Sequence, residues 1–224
     1  MMTLHHLNNS RSQRVLWLLE ELGVAYEIQH YQRDRKTNLA PESLKQVHPL
    51  GKSPVITNGE DIVAESGAII EYLCARFATE QSHIVTPTKG TPEAIQFNYW
   101  MHFAEGTAMT QLLIKGMFDR VKVAPMPFFI KPIARKIADS AIAAYAGPNV
   151  KANTQFIENH LAKNEWFCGA QMTGADFQMS FPLEVIIARE GGKSMPNISA
   201  FVKRIQARPA YQRALEAGGT YAYV

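Results

Sequence analysis

The chain has 224 residues, 46% hydrophobic and 19% charged, which is ordinary for a globular protein of one large domain or two small ones. Its 23 basic and 20 acidic residues leave a net charge of only +3 without a dense basic patch, which argues against nucleic-acid binding. No stretch approaches the roughly 18 consecutive apolar residues of a membrane span, and the first residues lack a signal-peptide-like apolar run, so we expect a cytosolic protein without membrane association.

The first 77 residues alternate strand and helix signals. Residues 2–7 and 24–31 have strand-like patterns. Between them, apolar residues recur at helical spacing up to Leu22; Ser10 or Ser12 is the expected N-cap, and Gly23 follows the helix end. Two strands separated by a helix predict a parallel pair joined by a right-handed crossover.

A polar loop at 32–40 leads into a short helix that begins at Pro41. Strands at 54–57 and 61–64 surround Asn58-Gly59, a hairpin signal, and 65–77 is again helical. The order β-α-β-α-β-β-α predicts a four-stranded mixed sheet with helices on its faces. With a proline opening the third strand, this arrangement resembles the thioredoxin-like fold.

Beyond this region the composition changes. Residues 80–91 are polar and broken by proline and glycine, as in a linker. Strand signals then nearly vanish, and we expect an all-helical second domain. The predicted domains are 1–79 and 92–224, with 80–91 between them. Helical patterns cover approximately 92–118, 127–146, 149–162, 174–190, 196–207 and 209–217, and Gly147-Pro148 is the expected break between the second and third.

Within the helical half, "MTGAD" is a specific capping signal. Thr173 is expected at the N-cap and Asp176 three residues later, so that each side chain accepts a hydrogen bond from a main-chain N–H of the other. We assign these two residues a structural role.

The turn "HPLGKSPVI", residues 48–56, raises a functional question. Pro54 has no N–H and therefore belongs at the start of a strand or on an edge. If the peptide bond between Ser53 and Pro54 is cis, the main-chain N–H and C=O of Ser53 face outward and can bind a short peptide. The alternative is a simple turn between a helix and a strand.

Glu65-Ser66 follows a predicted strand and opens a helix. The N–H and hydroxyl of Ser66 suit an anion at the helix N-terminus, and the carboxylate of Glu65 suits an ammonium group. The alternative is that both side chains simply cap the helix.

Cysteines and histidines offer no other chemistry. Cys74 and Cys168 are far apart among large apolar residues, so we expect buried, unreactive thiols. His5 and His6 face opposite sides of a strand and cannot share a metal ion, and the other histidines lack ligand spacing. There is no phosphate-binding loop and no G-x-G-x-x-G, and we expect no metal site.

Four segments resemble those of the cytosolic glutathione S-transferases. "SRSQRVLWLLEELGVAYE" resembles the first helix and second strand of the family, "HPLGKSPVI" its NP-x-G-x-[VS]-P-x-[LI] turn, "ESGAIIEYL" its ES-x-AI-x-x-YL segment and "FCGAQMTGADFQM" its G-x-x-x-T-x-AD motif. They span essentially the whole chain in the family's order. The bacterial and fungal branch is the most similar.

The resemblance implies a glutathione site. It implies that Pro54 is cis and that the main chain of Ser53 pairs with the cysteinyl unit of glutathione as an added strand. It assigns the glutamyl carboxylate to Ser66 and the glutamyl ammonium to Glu65, while Lys52 offers a point charge to the glycyl carboxylate. Glutathione is then a co-substrate, and no tightly bound cofactor is expected.

The residue that activates the thiol is less clearly marked. Many family members use a tyrosine near the end of the first strand, but the sequence has no tyrosine before Tyr26. Others use a serine before the first helix, and Ser10 aligns best with it, although Ser10 could equally be a plain N-cap. Asn9 and Ser12 are further candidate donors, and Arg11 could add positive potential. The absence of a cysteine here disfavours glutathione-linked reduction.

The remaining expectations concern the second substrate and the assembly. The electrophile pocket is expected between the domains, with Tyr99, Trp100, Phe103 and Met109 as candidates, although aromatic residues at helical spacing more often form core. A homodimer through helices 65–77 and 92–118 is implied. The leading function is conjugation of glutathione to small hydrophobic electrophiles, as in detoxification. The alternatives are a glutathione-dependent peroxidase, reductase or isomerase, or a non-catalytic glutathione-binding regulator.

Overall fold

The computed structural model describes residues 1–34 and 36–224. Its main sheet contains four strands: Met2–Leu7 (β1), Tyr26–Tyr31 (β2), Val55–Asn58 (β3) and Asp61–Ala64 (β4). Their order is β2-β1-β3-β4; β1 and β2 are parallel, and β3 is antiparallel to both of its neighbours. The predicted mixed sheet, with its parallel crossover and hairpin, is confirmed.

Two α-helices pack on this sheet, Ser12–Leu22 (α1) and Ser66–Phe77 (α2). Gly23 ends α1 in the left-handed conformation with φ +64°, as predicted. The N-cap residue is Arg11, and its side chain makes no capping bond, so neither predicted serine occupies that position. Ser12 already lies inside the helix, whereas Ser10 still caps the first turn, because its hydroxyl accepts from the main-chain N–H of Ser12 (3.2 Å) and its carbonyl from the N–H of Gln13 (3.3 Å).

The segments between these elements differ slightly from the prediction. The short helix is a 3₁₀ helix, Glu42–Gln46. Strand β3 begins at Val55 rather than at Pro54, since proline cannot donate to the ladder. The hairpin loop is Gly59-Glu60, one residue later than expected, and Gly59 supplies the positive φ of +63° that the turn requires.

The second half is dominated by seven α-helices: Pro92–His102 (α3), Thr110–Val123 (α4), Lys131–Ala141 (α5), Gly147–Leu161 (α6), Gly174–Glu190 (α7), Pro196–Gln206 (α8) and Pro209–Gly218 (α9). The wide π turns Phe103–Met109 and Ile142–Ala146 join α3 to α4 and α5 to α6 without a break.

The predicted break at Gly147-Pro148 is therefore wrong. Pro148 lies in the first turn of α6, directly after the π turn, where the widened backbone accommodates a proline that lacks an N–H. A Cβ on Gly147 would lie 3.0 Å from the carbonyl oxygen of Ile142, so a glycine fits this close passage.

The expectation of an all-helical second half needs one correction. Ile84–Val85 (β5) and Met172–Thr173 (β6) form a small parallel pair, and a 3₁₀ turn, Glu80–Ser82, precedes β5. Strands of two residues are too short to show alternation. Through this strand pair, the predicted linker segment is joined to the residues that directly precede α7.

Helix α7 forms the centre of the core. Its residues are buried from Gly174 to Ile186, and Trp17 of α1 packs on Phe177 with ring centroids 4.1 Å apart. A Cβ on Gly174 would lie 2.8 Å from Ile70, so the start of α7 approaches α2 closely. Within the described residues, no helix combines the length and hydropathy of a membrane span. Helix α1 packs against both β1 and α7.

Candidate active site

The turn between β1 and α1 is the centre of the site. Leu7 ends β1, and its N–H donates to the hydroxyl of Ser53 (3.2 Å) while its C=O accepts from the hydroxyl of Ser12 (3.1 Å). Ser10 is 5% exposed, and Asn9 before it has a positive φ of +49°. Leu7 therefore brings Ser53, in the cis-proline loop, close to the turn that carries Ser10.

Ser10 belongs to a buried chain of polar groups. Its Oγ lies 2.8 Å from Oγ of Ser12, which lies 3.0 Å from Nδ1 of His6. Burial, together with the nearby His30, lowers the pKa of His6 to about 4, so the ring is neutral at pH 7. A neutral imidazole carries one N–H, so its tautomer determines which hydroxyl in the chain donates.

An ion-pair network lies beside this chain. Glu105, in the π turn after α3, accepts from Arg11 Nε at 2.8 Å and also pairs with Arg14, which donates as well to the carbonyl of Gln178. Burial would raise the pKa of Glu105, but the charges of Arg14 and Arg11 outweigh it and lower the pKa. One carboxylate thus serves two guanidinium groups and ties α1 to the helical half.

The cis-proline loop has the predicted form. The peptide bond between Ser53 and Pro54 is cis. The Ser53 hydroxyl donates to the carbonyl of His5 (2.9 Å), which extends the contact between β1 and β3 past Val55. In residues 1–34 and 36–224, no partner is found for the main-chain N–H and C=O of Ser53. Lys52 is exposed and forms no ion pair within that same set.

Glu65 and Ser66 lie at the start of α2. Glu65 is exposed and holds φ +69° and ψ 122°, a conformation that costs a non-glycine residue about 1–3 kcal/mol. Its side chain makes no capping bond, so the simple capping alternative is wrong for Glu65. Ser66 is 4% exposed, and its hydroxyl has no hydrogen-bond partner in the described chain. Strain and an unpaired hydroxyl together are typical of a binding site.

A cavity of about 400 Å³ opens next to Ser10 between the two halves. Apolar side chains from α4 and its preceding turn (Met109, Leu112, Leu113) and from α7 (Phe181, Val185) line one part of it. The other lining residues are polar, basic or from the final segment: Asn9, Ser10, Arg11, Arg33, Asn38, Arg120, Arg189, Ala222 and Tyr223. Met109 is thus the one predicted pocket residue that lines this cavity.

Tyr99, Trp100 and Phe103 lie elsewhere. Trp100 packs on Phe167 with centroids 4.8 Å apart, and Tyr99 stacks on Phe103. Phe156 packs edge-on against Tyr99 and at a tilt against Phe103. Their aromatic stripe is mainly core, because it faces α6 and the loop before α7 rather than Ser10. Of the arginines that line the cavity, Arg11 was predicted beside Ser10, whereas no motif indicated the other three, which are scattered along the chain: Arg33, Arg120 and Arg189.

The remaining predicted residues have structural surroundings. Thr173 and Asp176 form the capping box: Asp176 accepts from the N–H of Thr173 (2.7 Å), and a second bond runs from Phe167 N–H to the same carboxylate (2.8 Å). Burial raises the pKa of Cys74 to about 12 and that of Cys168 to about 11, so both remain thiols. The described residues contain no cluster of three metal-ligating side chains.

Comparison with known proteins agrees with this geometry. The family model "Glutathione S-transferase, N-terminal domain" matches residues 1–75, and "Glutathione S-transferase, C-terminal domain" matches residues 124–209. Glutathione S-transferase 1 of Saccharomyces cerevisiae is 36% identical over 221 residues, covering 95% of this chain and 93% of the yeast protein. Glutathione S-transferase 3 of Schizosaccharomyces pombe is 35% identical over 218 residues, covering 96% and 87%.

A solved structure shows the same architecture. The crystal structure of a glutathione S-transferase from Actinobacillus pleuropneumoniae superposes with a TM-score of 0.81 at 34% identity, covering 99% of this chain and 94% of that one.

Proposed function

The chain belongs to the glutathione S-transferase family and is a glutathione transferase, and we propose that Ser10 stabilises the thiolate of glutathione for attack on a small hydrophobic electrophile. The observation that carries this proposal is the position of Ser10. It lies between the cis-proline loop, to which Leu7 connects it, and the cavity of about 400 Å³. Glutathione and acceptor can therefore meet at one hydroxyl.

Glutathione would bind as an added strand. The main-chain groups of Ser53, which have no partner among the described residues, suit the cysteinyl unit. The hydroxyl of Ser66 suits the glutamyl carboxylate, and Glu65 suits the ammonium. Exposed Lys52 suits the glycyl carboxylate. The strained backbone of Glu65 supports this assignment, since strain without a structural partner is typical of functional residues.

The chemistry requires a thiolate near pH 7. A free thiol has a pKa near 8.5, and each unit of lowering needs about 1.4 kcal/mol of preferential thiolate stabilisation. A hydrogen bond from Ser10 to the sulfur supplies this amount, and the N-terminus of α1 adds to it. The thiol proton leaves to solvent. The sulfur then forms a bond to the electrophilic carbon, and the leaving group departs with its electron pair.

We also propose a domain organisation, a dimer and a cellular location for this enzyme. Residues 1–79 form the glutathione-binding domain and 92–224 the helical domain, with 80–91 as the linker. Two copies associate through helices in residues 65–77 and 92–118; exposed Ile95 and Tyr99 on α3 support such an interface. The enzyme acts in the cytoplasm on toxic electrophiles, without a tightly bound cofactor.

An ultraviolet titration of the thiolate of bound glutathione between about pH 5 and 9 tests the proposal. We expect a thiol pKa at least one unit below that of free glutathione, and Ser10→Ala should return it toward the free value without abolishing binding. Ser66→Ala is the matched control, since it should weaken binding and leave the thiol pKa lowered. A free-like pKa in the wild type would instead favour a binding or regulatory protein.

A further inference from the structure

The cavity beside Ser10 has an unusual balance of charge. Arg11, Arg33, Arg120 and Arg189 all line it, and no Asp or Glu does so within the described residues. They come from the turn before α1, the segment after β2, α4 and α7. Across the whole chain, basic residues exceed acidic ones by only three, so this is a local concentration.

Internal ion pairs leave most of this charge uncompensated. Arg11 shares Glu105 with Arg14, which leaves one net positive charge on that group of three. Among the described residues, the guanidinium of Arg33 donates only to main-chain carbonyls, including those of Asn8 (3.2 Å) and Asn38 (3.1 Å). Such bonds hold the side chain in place but do not cancel its charge.

Arg120 and Arg189 are the other two arginines that line the cavity. Arg189 donates to the carbonyl of Leu112 (3.3 Å), and neither arginine has a carboxylate within salt-bridge distance in the part of the chain that the structure describes. The nearby acids are already engaged, because Asp119 pairs with Lys115 and Lys122 and Glu190 pairs with Lys115.

The arginines also act on one another. Burial lowers the pKa of Arg33, and the charges of Arg11 and Arg120 lower it further, opposed by Tyr223. Like charges held around one space destabilise the empty cavity and favour a bound anion. Guanidinium groups suit carboxylate, sulfonate and phosphate oxygens in particular, since they donate in a planar fork.

We infer that the acceptor of this transferase carries an anionic group next to its apolar body, and that Arg120 and Arg189 bind that group while the apolar wall of the cavity binds the rest. The inference rests on the proposed function of Ser10. It narrows the hydrophobic electrophile to an amphipathic one with a carboxylate, sulfonate or phosphate.

Glutathione itself is the other source of a carboxylate. The residues assigned to it, Lys52, Ser53, Glu65 and Ser66, do not line the cavity, which extends from Ser10 toward α4 and α7. We therefore assign the arginines of α4 and α7 to the acceptor. The experiment distinguishes the two sources.

Two conjugates that differ by one carboxylate provide the test: S-benzylglutathione and S-(4-carboxybenzyl)glutathione, with glutathione alone as the third ligand. Isothermal titration should show that the wild type binds the carboxylated conjugate about tenfold more tightly than the neutral one, the size of one charge-assisted contact. Arg120→Gln combined with Arg189→Gln should abolish that preference and leave the affinity for glutathione unchanged. Arg135→Gln, which removes an exposed arginine of α5 outside the cavity, is the matched control.

The outcomes separate the two proposals. Equal affinity of the wild type for both conjugates would overturn the anionic acceptor and leave the proposed function standing. If the double variant binds all three ligands more weakly by the same factor, the arginines belong to the glutathione site, and the inference is overturned. Failure of glutathione and of both conjugates to bind would overturn the proposed function, and the inference with it.

Discussion

The hydroxyl oxygens of Ser10 and Ser12 lie 2.8 Å apart, so the residue proposed to act on sulfur is not isolated. Ser10 has one hydroxyl hydrogen and can direct it toward a ligand only when it does not donate it to Ser12. This arrangement arises when the Ser12 hydroxyl donates to Ser10 rather than to His6 or Leu7, and the Ser12 N–H also donates to the Ser10 oxygen at 3.2 Å. Ser12 is therefore a positioning residue for Ser10.

Replacing Ser12 by alanine tests this relationship. We expect Ser12→Ala to raise the pKa of the bound thiol by less than Ser10→Ala does, and to lower kcat/KM about tenfold with KM for glutathione nearly unchanged, as for the loss of one hydrogen bond. The thiolate titration and steady-state kinetics measure both effects. An unchanged thiol pKa in Ser12→Ala, with an altered one in Ser10→Ala, would remove Ser12 from the mechanism.

Two substitutions of Glu65 distinguish its effect on the stability of the fold from its effect on glutathione binding. Both Glu65→Gly and Glu65→Ala lose the carboxylate, and both should weaken glutathione binding tenfold or more. Only glycine relieves the positive φ of +69°, so Glu65→Gly should be about 1 kcal/mol more stable than Glu65→Ala. Urea unfolding and isothermal titration provide the two readouts. Equal stabilities would show that this backbone is not strained.

Asp176 should be among the most sensitive positions for stability. Asp176→Ala removes a buried acceptor of two main-chain N–H bonds and a hydroxyl bond, and leaves those donors unsatisfied. The expected loss is about 2–4 kcal/mol in the free energy of unfolding. Asp119→Ala, which breaks surface ion pairs, should cost no more than about 1 kcal/mol and serves as the control. A similar small loss at both positions would contradict the structural role of Asp176.

Buried Glu184 predicts a pH dependence of stability. Burial raises its pKa from 4.5 to about 7, although the hydroxyls of Tyr211 and Tyr221 donate to it and oppose the change. Between these values the unfolded chain releases the proton while the folded one keeps it. The stability that Glu184 contributes is thus full below pH 4.5 and is lost as the pH rises toward 7.

Glu184→Gln removes this titration. The free energy of unfolding of this variant, relative to that of the wild type, should rise by on the order of 2 kcal/mol when the pH is raised from 5 to 7.5. Urea unfolding at both pH values measures this change. The shifted carboxyl of Asp176 is common to both proteins and cancels in the comparison. A constant difference between the two proteins would show that Glu184 titrates normally.

The predictions from sequence succeeded where the signal is local. The turn that carries Pro54, the capping box of Asp176 and the helix start at Ser66 each occupy a few consecutive residues, and the order of elements in the first half follows from short-range periodicity. The π turns and β6 were missed, because a wide turn keeps helical composition and two residues show no alternation.

The cavity could not be predicted in the same way. Its arginines stand on four separate segments, so only folding brings Arg33 and Arg189 to one space. The aromatic stripe with Trp100 has the composition of a pocket wall, but its orientation depends on the packing of α6. Sequence patterns therefore reveal the peptide-binding half of the site better than the acceptor half.

The carboxylate of Glu105, which Arg11 and Arg14 share, limits how the two halves of related proteins can be recombined. Arg14 is buried in α1, yet both of its partners, Glu105 and the carbonyl of Gln178, belong to the helical half. A chimaera that joins residues 1–79 to the helical half of another protein would leave this guanidinium buried without a counterion unless the new half carries an equivalent acid. The turn with Ser10 precedes the same helix, so modular exchange would disturb it as well. Exchange of the halves therefore has to be designed around the residue that faces Arg14.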